Sequence, residues 1–277
     1  MMETKIIWIY WHQGFNDSPY LVKKCVDSWL RHNPTYTLKL LDRKSLKNYI
    51  NMDDIYSFYN EENIGLAAIS DIIRLRLLSK YGGVWVDATC FCMVPLDNWL
   101  SDELKKNSGF FCPTYRKNTS EKIIDSWFLA SKTNCQIVSK FERKITDYFL
   151  SNELRIYSKS LLGRRLNRWT QKKSKRTNIW FSFFVMKIMR AMPYFYFHYM
   201  FSSLASKDEE FRKCLENMSK IDAHDCNFKH LDPFKDSEDD FIENIKRKKL
   251  PFFKLKKIWN NIPKGSKIYE LLHSIDS

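Results

Sequence analysis

Apolar runs and helical patterns alternate at the start of the chain. Residues Lys5 to Trp11 read KIIWIYW, a run of β-branched and aromatic side chains that predicts a buried strand. Apolar positions recur at helical spacing from Leu21 to Trp29 and predict a helix, and the segment from Tyr36 to Leu41 predicts a second strand. A strand, a helix and a strand in this order indicate an α/β domain with a parallel sheet.

The segment from Asn63 to Thr89 carries the strongest pattern. A helix that is apolar on most faces is predicted from Ala67 to Leu78, and Gly82-Gly83 ends it, because glycine accepts the left-handed conformation found at helix ends. Val84 to Val86 then predicts a short buried strand that leads directly to Asp87. Asp71 and Arg74 are three residues apart and therefore share one helix face.

The pattern after Trp99 is mainly helical. Helices are predicted over Glu121–Lys132, Gln136–Phe149, Lys159–Arg176 and Ile179–Leu204, the last around Pro193. We expect one domain over residues 1–277, with a core at 1–115 and a largely helical part at 116–277.

The charge is strongly positive, with a net charge of +14 and a pI near 9.3. No Asp or Glu occurs from Arg155 to Lys207, and the segment Lys246–Trp259 mixes lysines with large apolar residues. Such a charge favours an anionic partner: a nucleotide phosphate, an anionic membrane or a nucleic acid. No helix-turn-helix, RRM or zinc-finger pattern is present, which argues against nucleic acid.

Three further features of the sequence bear on where the protein is located. The seven cysteines form no C-x-x-C pair, so we expect free thiols in a reducing compartment rather than zinc sites or disulfides. Met1 to Trp11 lacks the layout of a signal peptide. Ile179 to Phe201 is the most apolar stretch, but Lys187 and Arg190 interrupt it, so a buried or membrane-surface helix is expected rather than a span.

Asp71, Arg74 and Asp87 are the candidate chemical groups. Asp71 and Arg74 lie on an apolar helix, where a structural ion pair is one explanation, since buried charges need partners. Asp87 follows a buried strand, and ligands of open α/β sheets bind at the carboxyl ends of strands. A carboxylate there can hold a divalent metal that neutralises phosphate oxygens. Gly82 and Gly83 would let a ligand approach the backbone, or would only end the helix.

The segment AAISDIIRLRLLSKYGGVWVDAT, from Ala67 to Thr89, resembles the capsular polysaccharide synthesis proteins and the wider group of DXD sugar transferases, which includes yeast-type mannosyltransferases and glucosylating bacterial toxins. KIIWIYWHQG, LVKKCVDSWLRHNP and PLDNWL extend the similarity over about the first hundred residues. YFYFHYMF and KIDAHDCNFKH match the C-terminal signatures more loosely. The resemblance implies a GT-A fold with a nucleotide-sugar bound at the edge of a Rossmann-type sheet.

The resemblance also implies roles for individual residues. Tyr10 and Trp11 would line the base pocket, with Trp11 stacked on the base, and Gln13 would lie beside the base or ribose. Asp71 would hydrogen-bond a hydroxyl of the donor sugar, and Arg74 would contact the sugar or the diphosphate. Asp87 would lie at the metal, Mn²⁺ or Mg²⁺, and at the ribose.

The motif departs from Asp-X-Asp at its last position, where Thr89 stands for the aspartate that normally binds the metal. The hydroxyl of Thr89 is a weaker ligand, so metal dependence is an open question. Asp222 or Asp225 could supply a second carboxylate. The histidines of the C-terminal part are further candidate ligands or bases, although a packed or surface role is favoured for each: His198, His224 and His230.

The expected activity is hexose transfer, with retention, from a UDP-sugar to a capsular or other cell-surface polysaccharide precursor, with a lipid-linked glycan as one candidate acceptor. Arg74 and a metal at Asp87 would stabilise the departing diphosphate. The two basic, apolar segments suggest peripheral docking on the inner face of the cytoplasmic membrane, with solvated surfaces as the alternative. A catalytically inactive relative and a basic protein that binds nucleic acid or another partner are the rival interpretations.

Overall fold

The computed structural model describes residues 4–115, 122–156, 161–171, 174–218, 221–227, 250–255 and 262–273. The α-helices are α1 Tyr20–His32, α2 Asp53–Tyr56, α3 Gly65–Tyr81, α4 Leu100–Lys106, α5 Gln136–Leu150, α6 Leu161–Gln171, α7 Tyr196–Lys207, α8 Glu209–Asn217 and α9 Lys267–His273. The strands are β1 Ile6–Tyr10, β2 Thr37–Leu41, β3 Gly83–Val86, β4 Cys90–Cys92, β5 Phe110–Phe111, β6 Phe128–Ser131, β7 Arg155–Ile156, β8 Ala191–Met192 and β9 Phe252–Lys254.

The main sheet has the strand order β2-β1-β3-β6-β5. β1 pairs in parallel with both β2 and β3, while β6 is antiparallel to β3 and β5. Ile7 to Tyr10 of β1 are all buried, as expected for a central strand covered on both faces. The predicted α/β class, with a Rossmann-type parallel unit and a helical C-terminal part, is confirmed.

Helix α3 packs against β3, β6 and α5, so most of its surface is covered. Its apolar side chains point in all directions because protein surrounds the helix, which is the reason for its continuous apolar pattern. The helix ends where Gly82 adopts a φ of +68° and its N–H bonds the carbonyl of Leu78. The predicted helix, its glycine end and the following strand are confirmed.

The region after residue 115 contributes to the same core. β6 inserts between β3 and β5, so the main sheet extends beyond the core expected at 1–115. β9 pairs with β4, where Phe253 stacks on Phe91 with ring centroids 5.2 Å apart. A contiguous apolar core therefore includes side chains from both ends of the chain.

Two helix predictions are wrong. Part of Glu121–Lys132 forms β6, because Phe128 to Ser131 hydrogen-bonds two neighbouring strands and is fully covered. Ile179–Leu204 is divided into a 3₁₀ turn, a π-helical turn at Phe184–Ile188, β8 and α7. Arg190 with a φ of +49° and Pro193 interrupt it. α5 matches its prediction, and α6 lies within Lys159–Arg176.

The fold bears on two of the predictions about membrane contact. Among the helices of the described ranges, none combines the length and apolar character needed to cross a bilayer. Phe252, Phe253 and Leu255 of the basic segment Lys246–Trp259 are buried in the core, so these side chains do not face a membrane. Residues 246–249 and 256–259 of that segment lie outside the described residues.

Candidate functional site

A cleft of about 440 Å³ opens at the carboxyl ends of β1 and β3. Tyr10 to Gln13 line it from the end of β1, and Asp87 to Thr89 line it from the end of β3. One face of α3 and the start of α7 contribute further walls, and Lys254 and Leu255 arrive from β9. This is the sheet edge at which the sequence predicts a ligand.

The three predicted chemical residues meet in this cleft. Arg74 lies between the carboxylates, with Nη1 3.0 Å from Oδ1 of Asp71 and Nη2 3.4 Å from Oδ1 of Asp87. Asp71 and Arg74 reach the cleft from one face of α3, whereas Asp87 reaches it from the end of β3. Asp71 and Arg74 therefore form a buried ion pair that also lines the cleft.

The guanidinium of Arg74 is fixed by further contacts. Nη1 donates to the carbonyl of Ser126 at 2.6 Å, and Nε donates to the carbonyl of Ser70 at 3.1 Å. Its plane lies over the ring of Trp85, 5.1 Å from the centroid. With 5% of its side chain exposed, Arg74 is a rigid connection between two carboxylates rather than a mobile surface cation.

Burial changes the acidity of Asp71. Its pKa rises to about 7, chiefly because burial removes water from the carboxylate, while the charge of Arg74 opposes the rise and the carboxylate of Asp87 adds to it. Asp71 is therefore a carboxyl group that changes its charge near neutral pH and points into the cleft.

Lys254 is a site residue that sequence reasoning missed. Its Nζ lies 2.8 Å from Oδ2 of Asp87, and its side chain is 7% exposed. Strand pairing fixes its position, since Lys254 lies opposite Cys90 and the N–H of Leu255 bonds the carbonyl of Thr89 at 2.9 Å. Burial opposes the charged form of Lys254, but the carboxylate of Asp87 outweighs it and raises the pKa of the lysine.

Asp125 belongs to a second group of cleft residues that sequence reasoning missed. It accepts a hydrogen bond from the hydroxyl of Tyr115 and lies 3.7 Å from both Nζ of Lys122 and Nε2 of His198. Burial alone would raise the pKa of Asp125, but these partners outweigh it and lower the pKa. Burial lowers the pKa of His198, which favours the neutral imidazole.

Aromatic and amide groups line the cleft beside β1. The hydroxyl of Tyr10 hydrogen-bonds Nδ1 of His12 at 2.8 Å, and Nε2 of His12 lies 3.1 Å from Glu61. Trp11 and Gln13 also line the cleft. The predicted base-pocket residues are therefore on the same cavity as Asp71, Arg74 and Asp87.

Asp87 and Thr89, the motif positions at which the resemblance implies a metal, both line the cleft. Within the described ranges, no three His, Cys, Asp or Glu side chains come close enough to hold a metal ion. Oδ2 of Asp87 faces Lys254, and Oδ1 accepts from Nε1 of Trp85 at 3.1 Å in addition to facing Arg74. Thr89 lines the cleft but offers only a neutral hydroxyl. Within the described part of the chain, the residues around Asp87 therefore do not fit a divalent cation.

The C-terminal candidates differ in their position relative to the cleft. Asp222 pairs with Thr114 through the backbone and accepts the N–H of His224 at 2.9 Å, and neither residue lines the cleft. Asp225 does not line it either, and Asn227 is the member of this segment that does. His198 lines the cleft, and His230 lies outside the described residues.

Gly82 and Gly83 do not line the cleft, contrary to the expectation that a ligand approaches them. They lie at the opposite end of β3 from Asp87. A Cβ on Gly83 would lie 2.6 Å from the carbonyl oxygen of Ile6, and one on Gly82 would lie 2.7 Å from the backbone N of Thr133. The missing side chains therefore let neighbouring backbone approach.

The missed residues carried little local signal. Lys254 is one of several lysines in a basic segment, and Asp125 lies in a segment whose pattern predicted a helix. The run LPFFKL, with apolar residues on both sides of Lys254, is the feature that could have indicated a buried strand.

All seven cysteines are buried. Their burial, rather than metal binding or cross-linking, accounts for their presence.

Comparison with known proteins gives a family match. The model of the family described as capsular polysaccharide synthesis protein matches residues 1–157.

The chain is also similar to three curated fungal proteins. The O-glycosyltransferase braB of Annulohypoxylon truncatum is 30% identical over 97 residues, which is 31% of this chain and 23% of that protein. The glycosyltransferase afumC of Aspergillus fumigatus is 32% identical over 107 residues, or 34% and 27% of the two chains. The O-glycosyltransferase PaGT of Phomopsis amygdali is 28% identical over 142 residues, or 46% and 35%.

These matches span about a quarter to a third of the length of the curated relatives. Among solved structures, the PaToxG glycosyltransferase aligns with a TM-score of 0.39 at 12% identity, covering 88% of this chain and 85% of that one. The apo-form glycosyltransferase GlyE of Streptococcus pneumoniae aligns with a TM-score of 0.42 at 10% identity, covering 98% and 60%.

Proposed function

Since this chain belongs to the capsular polysaccharide synthesis protein family, we propose that it is a glycosyltransferase. It moves a hexose from a UDP-sugar to a capsular or other cell-surface polysaccharide precursor. The observation that supports this most is the meeting of Asp71, Arg74 and Asp87 with Tyr10 and Trp11 on one cleft at the carboxyl end of parallel strands.

The donor lies along the wall that runs from β1 to α3. The uracil stacks on Trp11, a contact worth about 1–3 kcal/mol in nucleic-acid systems. Asp71 accepts a hydrogen bond from a sugar hydroxyl when it is ionised, and its pKa of about 7 keeps that form available at neutral pH. Arg74 holds Asp71 and Asp87 in place and supplies positive charge near the diphosphate.

Transfer proceeds with retention. The bond from the anomeric carbon to the diphosphate oxygen breaks, and its electron pair goes to that oxygen. The acceptor hydroxyl oxygen bonds the anomeric carbon on the same face, and its proton passes to the departing phosphate oxygen. In this direct path, Asp71, Asp87 and Asp125 remain paired with the basic side chains that they face, and none of them bonds the anomeric carbon.

Nucleotide binding tests the proposal directly. UDP, GDP and CDP are titrated calorimetrically into the purified protein, each in EDTA and in Mn²⁺, and release of UDP from a panel of UDP-hexoses is then followed. We expect UDP to bind and at least one UDP-hexose to be hydrolysed slowly without acceptor. Folded protein that binds no nucleotide would instead favour a partner-binding relative without catalysis. The anomeric configuration of the product, read by NMR, tests retention.

An anionic membrane presents the acceptor in this proposal. Phe183, Phe184 and Ile188 form an exposed apolar patch in the acid-free segment, each with more than 60% of its surface exposed. Tyr194, a few residues further along the chain, is 54% exposed and lines the cleft. Large apolar side chains within a basic segment are typical of surfaces that dock on anionic lipid. The patch would place the cleft mouth at the cytoplasmic face of the membrane, where a lipid-linked glycan is reached.

Vesicle sedimentation tests the docking. We expect stronger binding to vesicles containing anionic lipid than to neutral ones, and weaker binding after Phe183→Ser with Phe184→Ser. Phe58→Ser is the matched control, because Phe58 is 62% exposed but belongs to neither of the two basic segments. Equal binding to both vesicle types, or equal loss in the Phe58 variant, would contradict docking through the patch.

A further inference from the structure

We propose that Lys254 supplies the positive charge at Asp87 that a divalent metal supplies in DXD sugar transferases, and that nucleotide binding by this protein needs no metal. The inference rests on the proposed function and names the group that receives the donor diphosphate. It concerns a residue that the DXD-type motif does not contain.

The position of Lys254 beside Asp87 supports the inference. The ammonium of Lys254 lies 2.8 Å from Oδ2 of Asp87, on the cleft wall. Metal ions bind carboxylate oxygens directly, at about 2.0–2.2 Å. A cation at Oδ2 would therefore lie next to a buried ammonium, and the two positive charges would repel each other. Lys254 already occupies the side of Asp87 where such an ion would bind.

The net charge around Asp87 also supports a lysine in place of a metal. A motif with two aspartates and one divalent cation sums to zero, and so does Asp87 with Lys254, because Thr89 is neutral. Losing one carboxylate and replacing the metal with one ammonium leaves the local charge unchanged. The threonine in the motif and the lysine on β9 are therefore explained together.

The strand that carries Lys254 is held in place by hydrogen bonds and aromatic packing. Lys254 N–H bonds the carbonyl of Cys226 at 2.7 Å, and its neighbour Leu255 bonds Thr89. Phe252 stacks on Phe128 with centroids 4.2 Å apart, and Phe253 stacks on Phe91. The lysine is therefore presented from a packed strand, as electrostatic stabilisation of a leaving group requires.

The ammonium also retains donors for a ligand. It carries three N–H groups, and within the described part of the chain its one hydrogen bond is to Asp87. Two N–H groups can therefore reach phosphate oxygens that enter the cleft. An ammonium is a common phosphate-binding group.

Calorimetric titration of UDP, GDP and CDP separates the possibilities. For the wild type, we expect UDP to bind in EDTA, with a Kd within about threefold of that in Mn²⁺. Lys254→Met removes the charge at similar length and should weaken binding in EDTA roughly 10- to 100-fold. Lys254→Arg keeps the charge and should retain more of the affinity than Lys254→Met. Lys140→Met is the control, since Lys140 pairs with Asp208 and Glu210 away from the cleft.

Each outcome is decisive. Wild-type binding of a nucleotide only in Mn²⁺ would overturn the inference and leave the proposed function standing. No binding of any nucleotide in either buffer would overturn both. Lys254→Met that melts like the wild type and binds as tightly in EDTA would remove Lys254 from the diphosphate site. The wild-type titrations decide metal dependence even when a variant fails to fold.

Discussion

Replacing Arg74 with methionine tests whether the charges of the cleft form one network. Methionine keeps much of the length and apolar contact of the side chain but removes the guanidinium. Asp71 would lose its ion pair at 3.0 Å, whereas Asp87 would retain Lys254 at 2.8 Å and Trp85 at 3.1 Å. The main consequence is therefore an uncompensated buried carboxylate at Asp71.

The structure allows the size of the effect to be worked out. Removing one partner of a buried ion pair costs about 3–5 kcal/mol of unfolding free energy. In a chain of 277 residues, each kcal/mol lowers Tm by roughly 2 °C, so Arg74→Met should melt roughly 6–10 °C below the wild type. With Asp71→Asn in the same chain the loss should be smaller, with a coupling of about 1–3 kcal/mol.

The loss should also depend on pH. The pKa of Asp71 is about 7 in the wild type, and Arg74 holds it down, so the pKa should be higher in Arg74→Met. Above pH 7 the variant would still bind a proton that its unfolded chain has released, and its stability would fall by up to about 1.4 kcal/mol per pH unit. The difference in unfolding free energy between wild type and variant should therefore be larger at pH 8 than at pH 6.

Urea unfolding and thermal melting, followed by tryptophan fluorescence, measure these differences without any substrate. Lys213→Met is the matched control, because Lys213 pairs with Glu209 at 2.8 Å on α8 but is exposed. Its Tm should lie within about 1 °C of the wild type. Effects of Arg74→Met and Asp71→Asn that add within about 0.5 kcal/mol, or a loss independent of pH, would refute a coupled buried network.

Three further predictions address separate parts of the site. Gly83→Ala should lower the free energy of unfolding by roughly 2–4 kcal/mol, because its Cβ would lie 2.6 Å from a carbonyl oxygen of β1 at a φ of +96°. Gly265→Ala, which has open space around its Cβ, should lower the melting temperature less than Gly83→Ala does. Trp11→Ala should weaken UDP binding about 5- to 150-fold in calorimetry, and Trp169→Ala, outside the cleft, should not. Asp71→Asn should gain stability relative to the wild type as the pH of urea unfolding rises from about 4 to 7, because only the wild type then holds a proton that its unfolded chain releases.

Local pattern was sufficient for the central part of the fold. The strand β1, the helix α3 and the strand β3 follow from runs of apolar residues whose spacing reflects burial on several sides. Asp71 and Arg74 share a face because helical periodicity alone brings residues three apart together. Asp87 reaches the cleft because it follows a short strand, which is again a local property.

The same reasoning was insufficient where a residue's environment depends on distant chain. Phe128 to Ser131 became β6 because β3 and β5 supply hydrogen-bond partners on both sides. Gly82 and Gly83 were expected near a ligand, but their surroundings are backbone from β1 and from the turn after β6. The helical expectation for Ile179–Leu204 ignored the strand partner that β8 finds in β7.

The sequence by itself determined the class of fold, the carboxyl-end position of the site and the trio Asp71, Arg74 and Asp87, because each depends on neighbours within a few residues. Only the tertiary structure decided that Lys254 faces Asp87. The two are 167 residues apart, and their contact arises because β9 pairs with β4 and buries its phenylalanines. A lysine's local sequence does not distinguish a solvated ammonium from a buried one, since the difference lies in the carboxylate and the aromatic packing that the folded chain brings around it.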